Sequence, residues 1–216
     1  MLPVVKGSAT DLASAMRAVK VSTGDATPGA LGGFLKFDFK DGSFSFGRDG
    51  DDVSKDQAII NVRSLSHGWK LWAGGKFTQN FVSIIDPLPE APQPVDGKYP
   101  SEARAFAGAF FDDGKPGEQF TFETNSYGGR KAANDLIVKI MERANSNPAF
   151  MFPVVCFDAE SYKNQKHGTT IFNPVFTVVD WANEDGALER TARIAPKEAQ
   201  VEPEAPAPVR RRRVAT

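Results

Sequence analysis

The chain has 216 residues, of which 41% are hydrophobic and 11% aromatic, and this composition predicts a folded domain with a sizeable core rather than a disordered chain. Its formal net charge of −1 gives no overall attraction to a polyanion, so any nucleic-acid site has to be a local basic patch. One cysteine leaves no pair for a disulfide within the chain, and no apolar run reaches the roughly 20 residues that span a membrane, so we expect a soluble intracellular protein without membrane association.

Residue types divide the chain into three regions. Residues 1–30 predict a short helix and a flexible connector, because Thr10 can cap an amphipathic stretch and a Gly- and Pro-containing segment follows it. Residues 31–183 carry the alternating patterns of a folded domain. Residues 184–216 are rich in Pro, Ala, Glu and Arg and bury too little to fold, so we expect a disordered tail.

Strand patterns dominate the domain. FLKFDFKDGSFSFG alternates apolar and polar residues on both sides of Asp41-Gly42, a dipeptide typical of hairpin turns, and AIINVRSL follows as a further strand. GWKLW and FTQNFVSII form a second predicted hairpin around AGGK, and ARAFAGAFF and EQFTFET form a third around DDGKPG. The last two predicted strands, MFPVVCF and NPVFTVVDW, flank a polar loop, and five prolines within residues 86–101 exclude a regular element there.

One long helix is predicted at SYGGRKAANDLIVKIMERANSN, where Ala133, Leu136, Ile137 and Ile140 recur at helical spacing before Asn145–Pro148. The predicted order is several strands, one helix and two final strands. This is the order of the OB-fold, a five-stranded barrel that often binds single-stranded nucleic acids or oligosaccharides. We therefore expect a mainly β domain with one long helix, built as an OB-like five-stranded barrel with an extra N-terminal hairpin. A β-sandwich with one helix has the same order and is the rival architecture.

Aromatic and basic residues are interleaved in SHGWKLWAGGKF, residues 66–77. Strand alternation puts Trp69 and Leu71 on one face of the strand, and Lys70 and Trp72 on the other. Binding of single strands requires basic side chains for phosphates and exposed aromatic faces for bases, so Trp72 beside Lys70 is the better stacking candidate. The alternative is that both tryptophans are structural.

Further candidates for nucleic-acid binding lie in three other stretches. The helix start TNSYGGRKA offers backbone N–H groups beside two basic side chains, which suits a phosphate, although an ordinary capped helix start has the same composition. The polar loop between the last two strands corresponds to a ligand-contacting loop of OB-folds, and the tail carries four consecutive arginines. The complete predicted set is Lys70, Trp72, Lys76, Phe77, Tyr127, Arg130, Lys131, Tyr162, Lys163, Lys166, His167, Phe172, Arg210, Arg211, Arg212 and Arg213.

Signals of catalysis or of a bound cofactor are weak. His67 and His167 each precede a glycine in a predicted turn or loop, and no nucleophile motif, phosphate loop or zinc-ligand spacing occurs. Asp49, Asp51 and Asp52 could hold a divalent metal, as in a metal-dependent nuclease, but such clusters are more often solvated turns. We expect no enzymatic activity, no cofactor and no metal.

Four stretches, FDFKDGSFSFG, LSHGWKLWAGGK, TNSYGGRKAANDLI and SYKNQKHGTTIFNPVFTVVDW, together resemble bacteriophage single-stranded DNA-binding proteins of OB-fold type, over about residues 33–182. The resemblance implies a non-enzymatic protein that coats single-stranded phage DNA during replication or recombination, in the cytoplasm of the infected bacterial host. One departure is clear, because bacterial single-stranded DNA-binding proteins typically end in an acidic tail that recruits partners, whereas this chain ends VRRRRVAT.

We therefore expect sequence-tolerant binding of single-stranded DNA, with an affinity that falls as salt rises. Replication or recombination proteins are candidate partners, and a homodimer is a candidate assembly because many single-strand binders combine several OB units. The tail arginines either contact the strand or only solubilise the chain. The main alternative is a phage structural or protein-interaction protein, which the proline-rich loop and the near-neutral charge suit equally well.

Overall fold

Strands and one long helix make up the part of the chain that this computed structural model describes, residues 33–112, 115–164 and 168–190. The prediction of a mainly β domain with one long helix is confirmed. The strands are β1 (Gly33–Phe37), β2 (Phe44–Phe46), β3 (Asp51–Asp52), β4 (Gln57–Ile60), β5 (Ser66–Ala73), β6 (Lys76–Ser83), β7 (Ser101–Asp112), β8 (Lys115–Thr124), β9 (Phe152–Lys163) and β10 (Thr170–Ala182), and the helix is α1 (Tyr127–Ser146).

The strands form one open mixed sheet. Its order is β10-β9-β4-β7-β8-β1-β2-β3, and the hairpin β5–β6 is attached to β7 beside this path. All pairings are antiparallel except that of β1 with β8, which is parallel between Gly33–Leu35 and Phe120–Phe122. The first hairpin is therefore built into the sheet rather than added to a barrel. A closed five-stranded barrel is not confirmed for the described residues.

Contacts between phenylalanine rings of distant strands show that this open sheet is curled. Phe176 on β10 lies 5.3 Å, centroid to centroid, from both Phe106 on β7 and Phe122 on β8. In a flat sheet β10 and β8 would be roughly 19 Å apart, since three strands lie between them. The curl also lets the backbone N–H of Phe172 donate to the carbonyl of Phe39 at 2.9 Å, which joins β10 to the chain just after β1.

The helix α1 follows the predicted pattern. Its N-cap is Ser126, whose hydroxyl accepts a hydrogen bond from the backbone N–H of Gly129 at 3.0 Å. Leu136, Ile137 and Ile140 are buried on its apolar side, against β10 and β7. The helix ends at Ser146, two residues before a proline that cannot continue it.

Most predicted hairpins are confirmed, but two boundaries differ from the sequence-based prediction. The predicted polar loop between the last two strands is largely strand, because β9 and β10 pair out to Lys163 and Thr170. Residues 184–190, predicted as the start of the tail, lie on the domain, where Glu184 pairs with Arg63 at 2.6 Å. The predicted helix within residues 1–30 and the rest of the tail are outside the described residues.

Candidate nucleic-acid interface

A projecting hairpin carries the best-formed cluster of predicted binding residues; we call it the arm, residues 66–83. Strand β5 pairs with β7 only from Ser66 to Lys70, whereas its pairing with β6 continues to Ala73. The turn at the tip contains Gly74 and Gly75, with φ values of 56° and 72°. Positive φ at both central residues is what a type I′ two-residue hairpin turn requires, and glycine adopts such values without strain.

One face of the arm is aromatic and exposed. Trp72 lies directly opposite Phe77, and Lys70 lies opposite Gln79, so strand alternation puts these four side chains on one side. Trp72 is 66% exposed and Phe77 is 48% exposed, and their ring centroids are 6.0 Å apart. The ammonium of Lys70 lies 5.3 Å from the centroid of the Phe77 ring, within the range of a cation–π contact. We call this set the aromatic face.

The other face of the arm is occupied by the proline-rich segment 86–101. The indole N–H of Trp69 donates to the carbonyl of Pro89 at 2.8 Å, and Nε2 of His67 lies 2.9 Å from the carbonyl of Asp86. Leu71 on this face is buried. Trp69 is therefore structural while Trp72 is exposed, as alternation along β5 predicts. His67 belongs to a strand and not to the predicted turn.

Lys76 does not join the aromatic face. It pairs with Ala73 at the tip, one position before Phe77, and so points to the opposite side of β6. Lys76 therefore stays a predicted binding residue at the tip of the arm, outside the aromatic face. Lys76 is exposed and forms no ion pair within the described part of the chain.

The charge of Lys70 is already neutralised. Its ammonium lies 2.5 Å from a carboxylate oxygen of Glu123 on β8, and both side chains are about four-fifths buried. Glu123 comes 53 positions later in the sequence, and nothing in the local pattern around Lys70 predicts this contact. Lys70 therefore supports the Phe77 ring and the sheet rather than offering a free cation to a phosphate.

The predicted cations at the start of α1 are also paired. Arg130 binds the carboxylate of Glu102 at 2.7 Å, and Lys131 binds that of Asp135 at 2.7 Å. Burial raises the pKa of Glu102, but Arg104 and Arg130 outweigh this effect and hold it below its usual range. A hydrogen bond to Asp135 raises the pKa of Lys131. This helix start is a set of ion pairs around a highly exposed Tyr127.

The β9–β10 hairpin contributes a third group of predicted residues. Tyr162 and Lys163 are exposed, but they are consecutive in a strand and point to opposite faces. Phe172 is half-buried against the turn after β1, where a Cβ added to Gly42 would lie 2.6 Å from the ring. The prediction that Tyr162, Lys163 and Phe172 belong to a loop is wrong, since all three lie in paired strands. Lys166, His167 and Arg210–Arg213 are outside the described residues.

The structure brings some predicted residues together and separates others. Glu102, which binds Arg130, is directly opposite Trp69 in the pairing of β5 with β7. The start of α1 is therefore linked to the face of the sheet that carries Trp69, and the aromatic face with Trp72 is on the other side.

The described part of the chain also contains more carboxylates than Lys and Arg side chains.

The acidic cluster offers little to a metal. Asp51 and Asp52 are consecutive in β3 and point to opposite faces, and Asp52 accepts a hydrogen bond from the backbone of Ser54. Hydrogen bonds from Ser54 lower the pKa of Asp52. Across the described ranges, no group of three or more His, Cys, Asp or Glu side chains is placed to hold a metal ion.

Comparison with protein-family models, with curated proteins and with solved structures found no match to this chain. The resemblance to phage single-stranded DNA-binding proteins therefore stays a prediction. Within the described residues, α1 is too polar to cross a bilayer, and no other helix is long enough to do so.

Proposed function

We propose that the protein binds single-stranded DNA with little sequence preference, and that the aromatic face of the arm is its base-stacking surface. The observation that carries this proposal is the indole of Trp72, which is 66% exposed on a projecting hairpin beside the half-exposed ring of Phe77. Exposed neighbouring aromatic rings bury apolar area only when a ligand covers them, and nucleobases provide flat surfaces for that purpose.

The aromatic face alone supports weak binding. Stacking contributes about 1–3 kcal/mol per base, so two rings contribute about 2–6 kcal/mol. This range corresponds to dissociation constants from tens of millimolar to about 40 micromolar. Tighter binding requires further contacts, which Lys76 and Lys163 can supply from the described residues and Lys166 and Arg210–Arg213 from the others.

The electrostatics favour a modest dependence on salt. Lys70, Arg130 and Lys131 are each held by a carboxylate, so each would have to exchange that partner for a phosphate. Each phosphate contact adds about 0.7 to the slope of log affinity against log salt for a single strand. The proposal therefore predicts a slope of only a few units rather than the steep slope of a strongly basic protein.

The biological setting is part of the proposal. An OB-type barrel is expected from the order of the predicted elements and from the resemblance of the four sequence stretches. A bacteriophage origin, a place in replication or recombination and a location in the host cytoplasm are implied only by that resemblance. Stacking on Trp72 does not require a closed barrel, because an aromatic hairpin on a curled open sheet presents the same surface to a base.

Titration of the full-length protein with oligo-dT at low salt tests the proposal. The chain has three tryptophans, Trp69, Trp72 and Trp181. Stacking on Trp72 predicts quenching of fluorescence together with retardation of the oligonucleotide in a gel, and both effects should weaken as salt rises. Absence of both effects at protein concentrations up to about 100 micromolar would remove the basis of the proposal, because two stacks of about 3 kcal/mol each already give a dissociation constant of about 40 micromolar.

A protein partner is the second candidate for the same surface. The paired state of the predicted phosphate-binding cations and the excess of carboxylates over basic side chains favour it. Aromatic side chains are also enriched at protein interfaces, where they act as anchors. Fractionation of purified virions distinguishes the two functions: many copies in the particle indicate a structural or interaction protein, and presence only in infected cytoplasm indicates DNA binding.

A further inference from the structure

Among the described residues, no strand pairs with the outer edge of β6. Strand β6 pairs with β5 and with no other strand among the described residues, and Lys76–Asn80 are all exposed. From Phe77 to Ile85 the sequence contains no charged residue and no proline. Sheet edges that remain free in solution usually carry such residues, because unpaired backbone groups otherwise join another strand.

We propose that this edge pairs with β6 of a second copy of the chain, antiparallel, across a two-fold axis that passes through Gln79. Such a pair is isologous, so every contact occurs twice. In this register Phe77 lies opposite Phe81 of the second copy, and Thr78 lies opposite Asn80 of the second copy. The result is a sheet that continues from one protomer into the next.

The pattern of side chains along β6 suits a second copy. An axis perpendicular to the sheet keeps each face on its own side, so a residue has to meet a residue of the same face. Phe77, Gln79 and Phe81 share the aromatic face by alternation, and Thr78 and Asn80 share the other. The register thus pairs aromatic with aromatic and polar with polar, and both kinds of cross-strand pair are favourable.

The charges near the edge do not oppose this assembly. Lys76 is the only charged residue of β6, and it lies opposite Val82 of the second copy. The two Lys76 side chains would be about 20 Å apart along the strands, beyond the range of strong repulsion in physiological salt. Lys70 in each copy is neutralised by its own Glu123.

Pairing also enlarges the aromatic face. Trp72 and Phe77 of one copy would lie in a row with Phe81 of the other, and the two-fold axis creates this row twice. Each copy thereby contributes a ring to the surface of its partner. The proposed dimer does not depend on the proposed DNA binding, because dimerisation can be measured in the absence of nucleic acid.

Light scattering and sedimentation of the full chain, over about 1–200 micromolar, provide the first test. We expect a dimer. Its dissociation constant should rise at least about tenfold in Gln79→Lys, because this substitution places two like charges face to face on the axis. Gln57→Lys, at an exposed position of β4, adds the same charge on a strand that does not pair with β6 and is the matched control. A monomer at all concentrations, or equal weakening by both substitutions, overturns the proposal.

Cross-linking tests the register. In a background with Cys156→Ser, Gln79→Cys brings two thiols together on the axis, with Cβ atoms about 4.5–5.5 Å apart. Lys76→Cys is the control, because its two thiols would be about 20 Å apart. Mild oxidation should give a covalent dimer for Gln79→Cys and not for Lys76→Cys. Equal cross-linking of both variants, or of neither, contradicts the proposed axis.

Discussion

Replacement of Trp72 by alanine separates binding from stability. About a third of this side chain is buried, since it is 66% exposed. A tryptophan side chain that buries a third of roughly 225 Å² contributes at most about 2 kcal/mol to folding at about 25 cal/mol per Å². We expect Trp72→Ala to lower the free energy of unfolding by less than this limit, so the protein should stay folded.

The same substitution should weaken binding of oligo-dT about 5- to 150-fold, the equivalent of one lost stack of about 1–3 kcal/mol. It should also remove most of the fluorescence quenching, because Trp69 and Trp181 lie away from the aromatic face. Trp69→Phe is the control: it loses the hydrogen bond to Pro89 and should destabilise the arm without a comparable loss of affinity. Affinity within twofold of the wild type for Trp72→Ala, or an equal loss in a folded Trp69→Phe variant, would refute the stacking role of Trp72.

Four further outcomes are expected. We call the packed core rings around Phe157, among them Phe44, Phe110, Phe120 and Phe176, the phenylalanine cluster. Phe157→Ala removes a fully buried ring from this cluster and should lower the free energy of unfolding by about 3–5 kcal/mol, measured by denaturant unfolding. Glu123→Gln releases Lys70 and should tighten oligo-dT binding at low salt while raising the salt slope by about 0.7; an unchanged slope would mean that Lys70 stays away from the phosphates. Glu102 has a lowered pKa in the folded state, so its carboxylate stabilises the fold at neutral pH and this stabilisation is lost as the pH falls through the lowered pKa. The difference in unfolding free energy between the wild type and Glu102→Gln should therefore shrink as the pH is lowered. Removal of residues 195–216 should leave the domain folded, by circular dichroism, while it lowers affinity and flattens the salt dependence; identical slopes would show that the tail arginines do not touch the strand.

Local patterns were sufficient for the elements whose contacts are close in sequence. The Asp41-Gly42 turn, the Gly74-Gly75 turn and the helix α1 all rest on residues within a few positions of one another, and all three are present. The parallel pairing of β1 with β8 joins segments more than eighty residues apart, and no local signal encodes it. That pairing helps to make the sheet open and mixed, which explains why strand order alone pointed to a simpler barrel.

In the candidate site, too, features that depend on neighbouring residues were predictable, and contacts between distant segments were not. The exposure of Trp72 follows from alternation along one strand and was predictable. The neutralisation of Lys70 depends on Glu123 from a neighbouring strand, and that of Arg130 depends on Glu102, so neither could be inferred from composition. Polar residues beyond the core also obscured the length of β9, because a strand that protrudes into solvent loses the apolar alternation that would reveal it.

The tip of the arm extends beyond the last contact with β7 and holds no ring of the phenylalanine cluster. Substitutions there impose little cost on folding, whereas changes among the packed rings are penalised together. Selection can therefore alter Trp72, Phe77 and their exposed neighbours at a different rate from the interior. Related chains should show a tip that diversifies while the core stays nearly constant, so that a lineage can change what its arm recognises without acquiring a new scaffold.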